Sequence, residues 1–126
     1  MGRMVAGAAS IKVTVPVSTT IEQGKLYLLS GFFGMAVQSV TTDESETSEV
    51  VLQIEQVEYE TSQITVADAF AKGDAIYWDD TTKLLTTQAN LDVNGNPQNR
   101  PVGRVSNAKD ADNVIWFILG PQIQAH

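Results

Sequence analysis

Residues 69–87 read AFAKGDAIYWDDTTKLLTT, and the fold class is decided there. Gly73-Asp74 is a turn signal, since glycine adopts positive φ freely and aspartate bonds the nearby backbone. The residues after it alternate. Ile76 and Trp78 share one face of a strand, and Tyr77 and Asp79 share the other. Leu84 to Thr87 then returns as a second strand, with Asp79 to Lys83 as the hairpin loop between them.

The same two-residue period runs outward in both directions. In IKVTVPV, Val13, Val15 and Val17 alternate with Lys12, Thr14 and Pro16. Pro16 has no N–H to give a ladder, so this is an edge strand or its end. Glu22-Gln23-Gly24 is a turn. KLYLLSGFFGMAVQSV reads as two strands with a turn or bulge near Ser30-Gly31. Thr41 to Ser48 is a polar, acidic loop. EVVLQIEQVEYE buries Val50, Leu52 and Ile54, then changes parity at Val57 and Tyr59, which predicts a bulge or bend. Ile64 to Val66 is a short strand, and Ala67 to Lys72 a helical turn or loop. Toward the C-terminus, Asn94-Gly95-Asn96-Pro97 marks a loop. PVGRVSN is a strand broken by Gly103, and VIWFIL is a strand apolar on both faces. Such a strand is central or covered on both sides.

Composition agrees. Fourteen Val and twelve Thr against eight Leu favour strands, and 18% charged residues is light for helices. The 126 residues fit one domain. The expected class is all-β: a single small barrel or sandwich domain of eight to ten short strands over 11–126, with a flexible arm at 1–10. The longest apolar runs, around Phe32 to Val37 and Val114 to Leu119, fall far short of the ~20 residues of a membrane helix. Arg3 is followed by no apolar leader, so no secretory signal is expected.

Net charge is −7, from eight basic and fifteen acidic residues. Nucleic acid and anionic membranes are therefore not expected partners. Without Cys, and with His126 as the only His, there is no thiolate site, no Cys nucleophile and no His-based triad. Gly24-Lys25 lacks the earlier glycine of a phosphate-binding loop, where Thr19 stands. Asp92-Val93-Asn94-Gly95-Asn96 resembles the start of a calcium loop. Pro97 at position six and Gly103 at position twelve refute it, so a turn is the reading. Asp79 and Asp80, as neighbours, point to opposite faces and form no acid/base pair. No catalytic, cofactor or metal residues are expected, and the chain reads as a non-enzyme.

Between Leu26 and Ala71 there is no Lys or Arg. That window holds Asp43, Glu44, Glu46, Glu49, Glu55, Glu58, Glu60 and Asp68. It is either a solvated face and loop or a negative surface that faces a basic partner, binds divalent cations or keeps copies apart. Adjacent aromatics such as Tyr77 and Trp78 must split between faces, one of each pair entering the core.

The opening stretch also resembles the tailed-phage capsid cement, or decoration, proteins. Gly24 to Gly31 with Phe32, Phe33, Gly34, Met35, Ala36 and Val37 is similar to that family's glycine-marked second segment. Ala69 to Asp79 is similar to its central block, and Val102 to Val105 with Val114 to Leu119 to its closing strands. The resemblance covers roughly 11–120. It marks Gly31, Gly34, Gly73, Asp74, Tyr77, Trp78 and Gly103 as motif residues with structural roles. Met4, Val5, Phe32 and Phe33 are candidates for partner contact.

The family implies a structural virion protein, made in the bacterial host cytoplasm. It would sit on the outside of the mature capsid and bridge major capsid subunits. Its partners would be the major capsid protein and itself as a homo-oligomer, a trimer being favoured over a dimer by analogy with other decoration proteins. A phage tail or fibre domain, or another β-sandwich module for a carbohydrate or protein ligand, is the alternative; it would need exposed aromatics over a groove, with Trp78 or Trp116 as the carbohydrate contact.

Overall fold

The computed structural model describes residues 9–122, which hold eleven strands and no helix. They are β1 (Ser10–Val15), β2 (Thr20–Ile21), β3 (Leu26–Leu29), β4 (Phe32–Ala36), β5 (Val40–Thr41), β6 (Ser48–Gln53), β7 (Glu58–Thr61), β8 (Ala75–Asp79), β9 (Leu84–Thr86), β10 (Arg100–Asn107) and β11 (Ile115–Leu119). The chain divides after Glu55 into two compact units, Met1–Glu55 and Gln56–His126. Of the arm expected over 1–10, residues 1–8 lie outside the described residues. Ser10 already pairs with Gln53 in β1, and the Ala9 carbonyl accepts from Ile54.

The first unit holds a four-stranded antiparallel sheet in the order β1-β6-β4-β3 and a two-stranded one, β2-β5. β1 is an edge strand, as the proline after it requires. Val13, Val15, Val50 and Leu52 pack with Ile21, Ala36 and Ile54 in its core. The turn expected near Ser30-Gly31 is a two-residue hairpin loop. Both residues have positive φ, 52° and 82°, the arrangement whose twist suits a hairpin.

The second unit is built on a five-stranded antiparallel sheet in the order β7-β11-β10-β8-β9. One face is closed. Val105, Phe117 and Tyr59 line up across three strands, and Ile76, Trp78 and Leu85 continue the buried face. Tyr59 and Phe117 stack with ring centroids 5.6 Å apart. Past β7 the chain turns, and Ile64 makes a single parallel bridge to Leu85 of β9, the opposite edge. One bridge is not a ladder, so the sheet curls without closing. The all-β class stands in its sandwich form, not as a closed barrel.

The parity change after Ile54 is a bend at Gln56-Val57, the second of the two expected forms, and not a bulge within one strand. β6 ends at Gln53, the chain passes into the second unit, and Val57 is exposed. One local expectation needs correcting: Ile64 to Val66 is a single bridge, not a strand. β11 is interior in its sheet, between β7 and β10, the first of the two expected placements; its outer face stays open, with Trp116 and Ile118 42% and 49% exposed.

The strand broken by Gly103 is β10, and the break is a register shift against β8 between Pro101 and Gly103. Across from Gly103, on β11, a Cβ would run into the Ile118 carbonyl oxygen. Backbone cannot yield as a side-chain tip would. Gly103→Ala should therefore destabilise the protein by about 1–3 kcal/mol, the usual range for overpacking. A lower urea midpoint with unchanged slope in equilibrium unfolding checks this.

Candidate functional site

The motif block acts through hydrogen bonds. Gly73 has φ 93°, which disfavours a side chain there. The Asp74 carboxylate accepts from the Ala71 N–H at 3.0 Å, and the Asp74 N–H donates to the Ala71 carbonyl at 3.0 Å. Gly73 N–H donates to the Val105 carbonyl at 2.8 Å, and Val105 N–H returns to the Asp74 carbonyl at 2.9 Å. The Arg104 guanidinium donates to the Gly73 carbonyl at 2.9 Å. Turn and strand β10 are thus stapled just before β8 starts.

Trp78, 1% exposed, fills the core, and its indole N–H reaches Asp80 at 3.1 Å. Asp80 also takes Lys83 at 2.7 Å, while Asp79 accepts from the Thr81 N–H at 2.9 Å. Both aspartates build the hairpin loop. Asp92 does likewise in its own loop, accepting from the Asn94 and Asn96 N–H groups at 2.8 and 3.0 Å. The acids of the sequence window fall in both units. Asp68 accepts from the Thr86 hydroxyl and the Thr87 N–H, and Asp43 from Ser45 and Glu46.

What remains is the open face of the second unit's sheet. Antiparallel partners share a face. Glu58, Ile118, Arg104 and Ala75 therefore form one row across β7, β11, β10 and β8. Glu60, Trp116 and Asn107 form a second. Tyr77 lies opposite Pro101 on the same side. A shallow groove of about 540 Å³ is lined here by Gln56, Ala75, Tyr77, Arg104, Ile118 and Pro121 among others. The Trp116 indole N–H donates to Glu60 at 2.8 Å, and the Ser106 hydroxyl donates to Glu58. An aromatic and aliphatic stripe with an acidic margin has the makings of a contact surface.

The structure sorts the residues singled out by sequence. Gly73, Asp74, Tyr77, Trp78 and Gly103 come together around β8 and β10. Gly31 and Gly34 lie apart from them, in the first unit's β3–β4 hairpin. Gly34 is buried where a Cβ would meet the Gln53 carbonyl. Phe32 is half-buried, whereas Phe33 is 1% exposed and presents nothing to a partner. Met4 and Val5 lie outside the described residues. Sequence reasoning missed Arg104 and Ile118 as surface residues, and named Trp116 only as a carbohydrate contact of the alternative reading. The alternation of EYET against IWFIL was the available signal, obscured because every residue of IWFIL is apolar.

A family model described as phage cement protein matches residues 4–120. The chain belongs to the phage cement protein family. No curated protein and no solved structure matches it. The cement protein is accordingly a capsid-associated structural protein of a phage. Its acids serve mainly as turn caps and a surface margin, which suits a scaffold.

Two measurements follow from this geometry. Of the two tryptophans, only Trp116 is open to solvent, so Trp116→Phe should remove most of the acrylamide-quenchable emission of the monomer and leave the Trp78 signal. The second concerns acid. Backbone N–H of Ser45, the Ser45 hydroxyl and the Glu46 N–H hold the Asp43 carboxyl below its ordinary 3.8. A depressed folded value gives stability that is present above 3.8 and lost as pH falls through the folded value. Between pH 7 and pH 3 the urea midpoint of the parent should fall further than that of Asp43→Asn, whose amide keeps the cap.

Proposed function

We propose that this cement protein binds the outside of the mature phage head and bridges neighbouring major capsid subunits, as a homo-oligomer. The observation that carries the reading is the family match over 4–120. The exposed stripe of Trp116 and Ile118 in an otherwise acid-capped β scaffold supports it. The work is thermodynamic. A protein that binds the expanded lattice and not the unexpanded one stabilises the expanded state by mass action. Many weak contacts in a symmetric array add through multivalency. No catalysis or cofactor enters, and with a net charge of −7 the packaged nucleic acid is not a partner. The chain would be made in the host cytoplasm and added to heads after they expand.

The alternative, a tail, fibre or carbohydrate-binding module, would use exposed aromatics. Trp78 is withdrawn from it by burial, which leaves Trp116 and Tyr77.

Purified protein should sediment with expanded heads and not with unexpanded ones. Failure to sediment with expanded heads overturns the reading. Rising salt should weaken the binding if the acidic residues face a basic capsid patch. In virions, mass spectrometry should count the chain in hundreds of copies. A handful of copies would transfer it to the tail or fibre.

A further inference from the structure

The row Glu58–Ile118–Arg104 is acid, aliphatic, base on three adjacent strands. Both charged residues are exposed, and neither is in an ion pair among the described residues. They stand two strand spacings apart, ~10 Å, with the apolar side chain between them. Such a row is complementary to itself. Let a second copy lie face to face on the first, related by a two-fold axis running close to β11 in the plane of contact. The axis sets Ile118 against Ile118 and carries β7 of one copy over β10 of the other. Glu58 then meets the second copy's Arg104, and Arg104 meets its Glu58, so the contact forms two ion pairs about an apolar centre. In the next row Trp116 meets Trp116, and Glu60 meets Asn107.

A two-fold axis across the strands would instead oppose β7 to β7, setting Glu58 and Glu60 against their like, which is unfavourable. The charge order thus selects one dimer geometry. Aligned sheets crossing at about 30° accommodate it with a small tilt of the axis.

We infer that the open face of the β7-β11-β10-β8-β9 sheet is a self-association surface, occupied by a second copy of this chain in a two-fold, face-to-face dimer. An isologous patch closes at two copies, so this contact yields a dimer where analogy with decoration proteins favoured a trimer. The Arg104 guanidinium has five N–H donors and gives one to the Gly73 carbonyl, so it can also engage a carboxylate. This goes beyond capsid binding and does not depend on it.

The test is charge exchange, read by sedimentation equilibrium of the purified full chain without heads, across concentration and at low salt. The parent should pass from 13.6 kDa to twice that mass as concentration rises. Arg104→Glu and Glu58→Arg should each weaken self-association at least tenfold, because each sets like charges face to face. The double exchange should restore it to within a few-fold of the parent. Arg104→Glu also loses the bond to Gly73, so a thermal melt of every variant accompanies the measurement. Glu58→Arg spares that bond and stands as the independent arm.

A parent that remains monomeric throughout overturns the proposal and leaves head binding intact. So does a parent that forms a trimer, or a double exchange that stays as weak as the singles. If the parent is monomeric and Ile118→Asp abolishes sedimentation with heads, the face belongs to the capsid and not to a second copy.

Discussion

Two backbone hydrogen bonds, from Gly73 to Val105 and from Val105 to Asp74, fix where β8 begins against β10. The second unit depends on that placement. With Arg104 beside Ala75, Trp78 falls on the closed face and Tyr77 on the open one. A slip of one residue would exchange those faces, exposing Trp78 and burying Tyr77. The turn supplies the positive φ, the aspartate supplies the cap, and Arg104 adds a side-chain tie to the same carbonyl-rich corner. Gly103 then lets β11 approach β10 closely enough for Phe117 to reach the core. Local chemistry at residues 71–74 thereby decides which side chains are available at the surface.

Much of this could be read from the chain alone. The β3–β4 and β8–β9 hairpins were legible because their turns carry strong local signals, Ser30-Gly31 in one and the Asp-rich loop 79–83 in the other. Splitting of the aromatic pairs was legible from the two-residue period alone. The alternatives left open share a cause. Parity at Gln53–Val57 marks a change of unit, and a period count registers a change of phase without saying whether one strand bends or two strands meet. IWFIL carries no polar residue to mark an outer face, so hydrophobicity could not separate Ile115, Phe117 and Leu119 from Trp116 and Ile118. Only the register with EYET, a pairing across more than fifty residues of chain, makes that division. The surface was illegible for the same reason: its rows are assembled from four strands far apart in sequence.

The acids illustrate a division of labour. Asp43, Asp74, Asp79 and Asp92 each turn a carboxylate back on nearby N–H groups, holding loops in shape. Glu58 and Glu60 face outward on β7, beside the apolar stripe. A count of negative charge sums both groups, although only the second lies on the open face of the sheet. For a cement protein the first group is as useful as the second, since a contact surface holds its shape only if the loops under it do.

The bridge between Ile64 and Leu85 bears on how the second unit's sheet ends at its edges. Leu85 donates its N–H to the Gln63 carbonyl and accepts at its own carbonyl from Thr65, so the outward rim of β9 is already spoken for by the same chain. At the other rim, β7 alternates Glu58 and Glu60 along its length, and like charges discourage a foreign strand from docking alongside. Sheets with bare rims polymerise when crowded. In this sheet one rim is occupied and the other charged, and both devices disfavour edge-to-edge growth through it.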